Sequence, residues 1–234
     1  MELNISPKKV GKMLLIVIVV VTILSLAGQF YKYLLFGGKD RYIINLFSLN
    51  NEFNIPTWYQ TITLLLCSLL TGALYILSKS RNEFFKYHWL GLSIIFFYIA
   101  SDEILVLHEQ IISPLRGLLG TSGFFYYAWI IPAIIFGIIF LVAYFKFLTS
   151  LPGEFRNRFI IAGVLYILGA VGLEAVSGKV FTDFGSNTLY YSLLTNVEEI
   201  LEMVGILLFI YALLLYYKLN YSSFNISIIN KESE

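Results

Sequence analysis

Residues 189–217 read LYYSLLTNVEEILEMVGILLFIYALLLYY, and two properties of this stretch decide the fold. It exceeds the roughly 20 mostly apolar residues that cross a bilayer as a helix. It also holds Glu198, Glu199 and Glu202 with no Lys or Arg among them. An ionisable group in hydrocarbon costs several kcal/mol, about 2.5 to 3.5 on insertion scales, so acids placed here mark a site and not a lipid-facing surface. Composition agrees across the whole chain. Hydrophobic residues make up 58% and charged residues 13% of the 234, and mean hydropathy is +0.78, outside the range of soluble globular domains.

Working outward, five further segments have the length and apolarity of spans, near 13–36, 57–78, 87–112, 125–149 and 158–178. The fold class expected is all-α, a polytopic transmembrane helical bundle of six spans. It forms a single domain over 1–220, followed by a polar, disordered tail over 221–234. Basic residues precede the first span and Ser25-Leu26-Ala27 fits a cleavage pattern, which opens the alternative of a signal peptide. Apolar sequence continues through Phe36, which favours a retained span. Between the first two spans, Asp40 to Pro56 is too short and polar to cross. Its apolar residues Tyr42, Ile43, Ile44, Leu46 and Phe47 fit either a short interfacial helix or an ordinary loop.

Positive charge sets the orientation, because cytoplasmic segments carry the Lys and Arg excess. Lys8, Lys9, Lys12, Lys79, Arg81, Lys86, Lys146, Arg156, Arg158, Lys218 and Lys231 fall on one side, eleven in all. Lys32, Lys39, Arg41, Arg116 and Lys179, five in all, fall on the other. Both termini are therefore expected in the cytoplasm and the protein in the inner (cytoplasmic) membrane. A net charge of +1 with basic residues gathered at span ends gives no nucleic-acid-binding patch. The sole cysteine, Cys67, rules out an internal disulfide and a Cys-based zinc site.

Acids recur in two more spans: Asp102, Glu103 and Glu109 in the third, and Glu174 in the fifth. With the glutamates of the sixth span they lie within roughly 20 Å of the outer interface, at 1.5 Å of rise per residue. On ideal helices Asp102 and Glu109, seven apart, share one stripe, and Glu198, Glu199 and Glu202 occupy an arc of about 100°. Such faces belong inside the bundle, since lipid offers them no partner. Gly169, Gly172 and Gly178 flank Glu174 and let helices approach closely.

Something positive must neutralise seven acids. Carboxylates from several helices with a histidine, here His108, form the ligand pattern of di-iron and di-manganese bundles, and zinc also accepts this set. The match lacks Glu-x-x-His, since Leu105 stands three before His108, and lacks the second histidine of H-E-x-x-H. The expected ligands of a divalent Fe, Mn or Zn ion are Asp102, His108, Glu109, Glu198 and Glu202. Glu174 stands beside them, and Glu103 and Glu199 serve as catalytic bases. A metal-bound water, with a spare carboxylate as base, would suit hydrolysis or oxidation of a lipid, lipid-linked or periplasm-side substrate at a site opening to the outer side. Two other readings stand beside this one. The first is a proton-coupled or divalent-cation transporter; the second is a non-catalytic interaction or assembly protein whose acids pair as neutral carboxyls.

Ser101-Asp102-Glu103 followed by His108-Glu109, Gly172-Leu173-Glu174, and Glu198-Glu199-Ile200-Leu201-Glu202-Met203-Val204-Gly205 carry a resemblance. With these motifs, of the form D-E-x4-H-E and E-E-x2-E-M-x-G, the chain resembles a family of uncharacterised bacterial polytopic membrane proteins over most of spans three to six. The resemblance implies that these residues act as one site. It brings no established activity.

Overall fold

Caps and breaks written in the sequence set where the helices begin and end. The computed structural model describes residues 6–35, 37–39 and 41–221, and the tail expected to be disordered falls, beyond Tyr221, outside the described residues. In chain order the helices are α1 (Pro7–Leu35), α2 (Tyr42–Phe47), α3 (Ile55–Ser80), α4 (Lys86–Leu105) and α5 (Leu107–Leu119). A 3₁₀ turn (Gly123–Phe125) precedes α6 (Ile130–Ser150) and α7 (Gly153–Ile167). A π-helical turn (Leu168–Leu173) then leads into α8 (Glu174–Phe184), and α9 (Leu189–Asn220) is the last helix among the described residues. No strand occurs among the described residues.

Six elements are long and apolar enough to cross a membrane: α1, α3, α4, α6, the continuous rod Gly153–Phe184, and α9. The chain thus has the makings of a multi-pass membrane protein. Large apolar side chains stay exposed along the helices, among them Leu69, Val142 and Phe145, as expected of surfaces that meet lipid.

Asn54 starts α3 by accepting a hydrogen bond from the Thr57 N–H, with Pro56 in the first turn, where its missing N–H costs nothing. The Asn54 amide also donates to the carbonyls of Asn45 and Ser48, which ties α2 to the start of α3. Thr188 caps α9 in the same way, accepting from the Tyr191 N–H.

Helix α9 is the axis on which the others pack. Antiparallel α1 meets it at Gly11 against Tyr211, at Ser25 donating to Asn196, and at Tyr33 beside Ser192. Helix α7 and the π-turn meet it through glycines. A Cβ on Gly205 would stand 2.8 Å from the Tyr166 nitrogen, and one on Gly169 would stand 2.7 Å from the Glu198 carbonyl oxygen. Only glycine permits backbones this close. Helix α3 joins α4 through reciprocal bonds, Ser68 Oγ to the Ser93 carbonyl and Ser93 Oγ to the Ser68 carbonyl.

At the end of the bundle that holds both described termini, the core is aromatic. Trp89, Phe147, Phe159 and Tyr216 pack with Leu74 and Leu213. A second core of Ile18, Val21, Leu64, Cys67, Ala100, Met203 and Ile206 lies toward the other end.

The structure corrects one expectation about the third span. It does not run unbroken to residue 112: α4 stops at Leu105, and Val106 takes left-handed dihedrals of φ 52° and ψ 43° before α5 begins. Left-handed backbone is strained for a β-branched residue. The reason for the break is local and polar. Asp102 reaches across it, accepting from the His108 N–H at 2.8 Å and engaging His108 Nδ1 at 2.8 Å. One carboxylate thereby satisfies one of the unpaired N–H groups in the first turn of α5 and fixes the ring of its second residue.

Candidate functional site

The break at Val106 and the π-turn before Glu174 each reshape a helix next to an acid. On an unbroken helix, residues 102 and 108 would point to different faces, about 120° apart. The left-handed residue folds α5 back so that they bond. The π-turn likewise shifts the face presented by Glu174 relative to an ideal helix, and π-turns are often found at functional sites.

The result is a cavity of about 130 Å³ at the end away from the termini. A single water takes roughly 10 to 15 Å³ on this measure, so on the order of ten fit. Asp102, Glu103, His108 and Glu109 line it together with Glu174, Glu198, Glu199 and Glu202. Every site residue expected from the sequence therefore borders this one cavity. The shared stripe expected for Asp102 and Glu109 is not the reason, since the two residues sit on different helices.

Several lining residues lay outside the sequence expectations. Glu52, from the loop between α2 and α3, adds an eighth carboxylate. Tyr127, Trp129, Tyr166 and Tyr191 supply aromatic wall. The hydroxyls of Tyr127 and Tyr191 are hydrogen-bonded at 2.6 Å. Among the described residues, no Lys or Arg lines the cavity, so His108 is its only basic side chain.

Neutral donors hold some of the acids. Trp129 Nε1 donates to Glu174 at 2.7 Å, and the buried Gln60 amide on α3 donates to Glu202 at 2.9 Å. Gln60 was visible in the sequence as a polar residue within the second span, the signal that identified the acids. Trp129 and the tyrosines gave no such signal, because aromatic residues are common at span ends. Glu198 is 9% exposed, and among the described residues its Oε2 has no hydrogen-bond partner. A buried carboxylate oxygen without a partner costs on the order of several kcal/mol.

The electrostatics at the mouth follow from crowding. Burial raises the Glu52 carboxyl to about 6, and Glu109 and Asp102 add to this while His108 opposes it. For His108, burial disfavours the charged ring, but the Asp102 hydrogen bond and the charges of Asp102, Glu174 and Glu109 outweigh it and raise the imidazole to about 9.

The ligands expected for a metal, Asp102, His108, Glu109, Glu198 and Glu202, share the cavity wall without meeting at one point. Among the described residues, no three His, Cys, Asp or Glu side chains are grouped closely enough to hold an ion as they stand. Both Asp102 oxygens are engaged by His108. With Nδ1 turned to Asp102, Nε2 is the ring nitrogen left for another partner.

No curated protein and no solved structure matches the chain. A family model described as a domain of unknown function, DUF8692, matches residues 13–217, nearly the whole of the helical bundle. The chain belongs to the DUF8692 family.

Proposed function

We propose that this protein is an inner-membrane metalloprotein whose acidic cavity faces the outer side and binds a divalent cation of the Fe, Mn or Zn type. The observation that carries the reading is the cavity's charge: eight carboxylates and one histidine, with the buried Glu198 Oε2 lacking a hydrogen-bond partner among the described residues. Buried charges are paired or coordinate a metal, and acids inside membrane spans mark functional sites. Oxygen-rich donor sets with one imidazole suit iron, manganese and zinc alike.

In this reading His108, Glu109, Glu198 and Glu202 hold the ion. Asp102 acts through His108, as carboxylates commonly orient a ligating imidazole. Glu174 lies beside them, and Glu103 and Glu199 are available as bases. A bound ion would supply Lewis acidity and an activated water. The work assigned to the site is chemistry on a lipid or lipid-linked substrate.

The aromatic packing of Trp89, Phe147, Phe159 and Tyr216 in the half nearer the termini supports a closed cavity over a through-path for cations. The excess of Lys and Arg on the other set of connections supports the assigned orientation. A reporter fused after Leu119 is expected outside the cytoplasm.

Elemental analysis of detergent-purified protein tests the reading. Near-stoichiometric metal is expected in the wild type, with strong loss in Glu198→Gln and Glu202→Gln variants that keep wild-type helicity. Wild-type protein free of metal after dialysis against each ion in turn would refute it.

A further inference from the structure

Several large apolar side chains are exposed in or beside the connections at the cavity end of the bundle, among polar residues such as Lys39, Ser122 and Asn187. Phe53 is 72% exposed, Leu118 80%, Phe124 53%, Phe125 44% and Tyr190 60%. Each adjoins the cavity in sequence or in its helix. Phe53 follows Glu52, Tyr190 precedes Tyr191, the two phenylalanines lead into Tyr127, and Leu118 shares α5 with His108 and Glu109. Phe53 also holds a left-handed φ of 58°, a strained state for a bulky residue. The connection between α3 and α4 at the opposite end exposes Phe84 as well, but there the ring stands among four charges, Lys79, Arg81, Glu83 and Lys86.

Helix α5 shows what kind of surface this is. None of its side chains is buried. Ile111, Pro114 and Leu118 fall along one edge, and Glu109, Ser113 and Gly117 along another. Such a helix lies in a bilayer interface with one edge in acyl chains and one in water. Leu105, the last residue of the span α4 and two before the start of α5, is exposed as well. Arg116 rests on the Tyr126 ring at 4.3 Å, a cation paired with an amphipathic ring as at headgroup level.

We propose that this rim is a lipid-binding surface, so that the cavity opens among lipid headgroups and the class of molecule that meets it is a membrane amphiphile. The inference builds on the proposed cavity site by naming what reaches it, and it is measured without reference to metal. Large apolar side chains exposed together at one end of a chain mark an interaction surface. Its elements adjoin the spans directly, α5 after α4 and Gly123–Phe125 before α6, which selects lipid over a protein partner.

The test places single spin labels at Leu118→Cys, Phe124→Cys and Tyr190→Cys in a Cys67→Ala background. Val142→Cys on α6 serves as the lipid-facing reference, its native side chain being 75% exposed. In phosphatidylethanolamine–phosphatidylglycerol liposomes, collision with oxygen is expected to exceed collision with a water-soluble nickel chelate at all three rim sites, as at the reference. Greater access to the chelate would place the rim in water and overturn the proposal. Low access to both would mean that protein covers the rim, a second copy or another chain, and would overturn it equally. Metal content measured on the same samples separates failure of the lipid surface from failure of the metal reading.

Discussion

Replacing Gly169 with alanine tests the contact that brings the π-turn onto α9. The added Cβ would lie 2.7 Å from the Glu198 carbonyl oxygen, 2.8 Å from Glu202 Cγ and 3.2 Å from the Glu202 nitrogen. Ordinary contact begins at 3.4 Å, so the turn must retreat by about 0.7 Å from the backbone that carries two of the site's acids. Overpacking of this kind costs about 1 to 3 kcal/mol. Gly205→Ala should behave alike, since its Cβ would meet the Tyr166 nitrogen at 2.8 Å and the Ala162 oxygen at 2.9 Å. Gly137 and Gly163 are the controls: both lie inside helices, and a Cβ there would find nothing within 4 Å. Alanine at those positions should gain roughly 0.5 to 1 kcal/mol of helix preference. Reversible unfolding in mixed micelles should therefore separate the two pairs by roughly 1.5 to 4 kcal/mol. Equal stability for the two pairs, or the reverse order, would refute the close packing. Gly169→Ala should also weaken metal binding, and Gly137→Ala should not.

Three other perturbations have defined outcomes. In chelator-treated protein, Glu52 keeps its proton up to about pH 6 when folded against 4.5 as the ordinary value. Stability should thus fall by about 2 kcal/mol as pH rises through that window. Glu52→Gln should abolish this fall, matching the wild type below pH 4.5 and exceeding it above pH 6; identical pH profiles would sink the idea. Glu109, Asp102, Glu103, Glu199 and His108 also act electrostatically on or with Glu52, so the difference between the two proteins is the quantity to read. Asp102→Asn should leave helicity intact but present an amide donor to His108 Nδ1, forcing the ring proton onto Nε2 and lowering metal affinity by about 10- to 100-fold; unchanged affinity would argue against an orienting role. Asn196, fully buried and bonded to Ser25, Asn50 and the Ser192 carbonyl, should cost about 1 to 3 kcal/mol when changed to leucine, and thermal unfolding indistinguishable from wild type would count against the network.

Spans and acids were legible in the sequence for the same reason: both stand out against hydrocarbon. A long apolar run has one stable state in a bilayer, and an acid within it has few permitted positions. Glu52 escaped notice because it lies in a connecting loop, where an acid is unremarked. Trp129 escaped because only the fold reveals that its indole meets Glu174. The end of α4 was not legible either, since no Gly, Pro or Asn marks it and a β-branched valine is among the least expected residues in left-handed backbone.

That last failure bears on the site itself. Ideal helical geometry assigned Asp102 and Glu109 to one stripe and would have left His108 on a different face from Asp102. The strained Val106 instead lets the Asp102 carboxylate grip both the backbone and the ring of His108. At Glu174, the π-turn departs from ideal geometry in the same way, with Gly169 seated against α9. Both departures cost conformational energy, and both fall beside cavity-lining acids. Local rules fail most informatively where function has displaced them. Here they fail on two of the three helical rods that carry acids, at the level of the cavity. The third, α9, stays regular and presents Glu198, Glu199 and Glu202 from a fixed axis, against which the other two are adjusted.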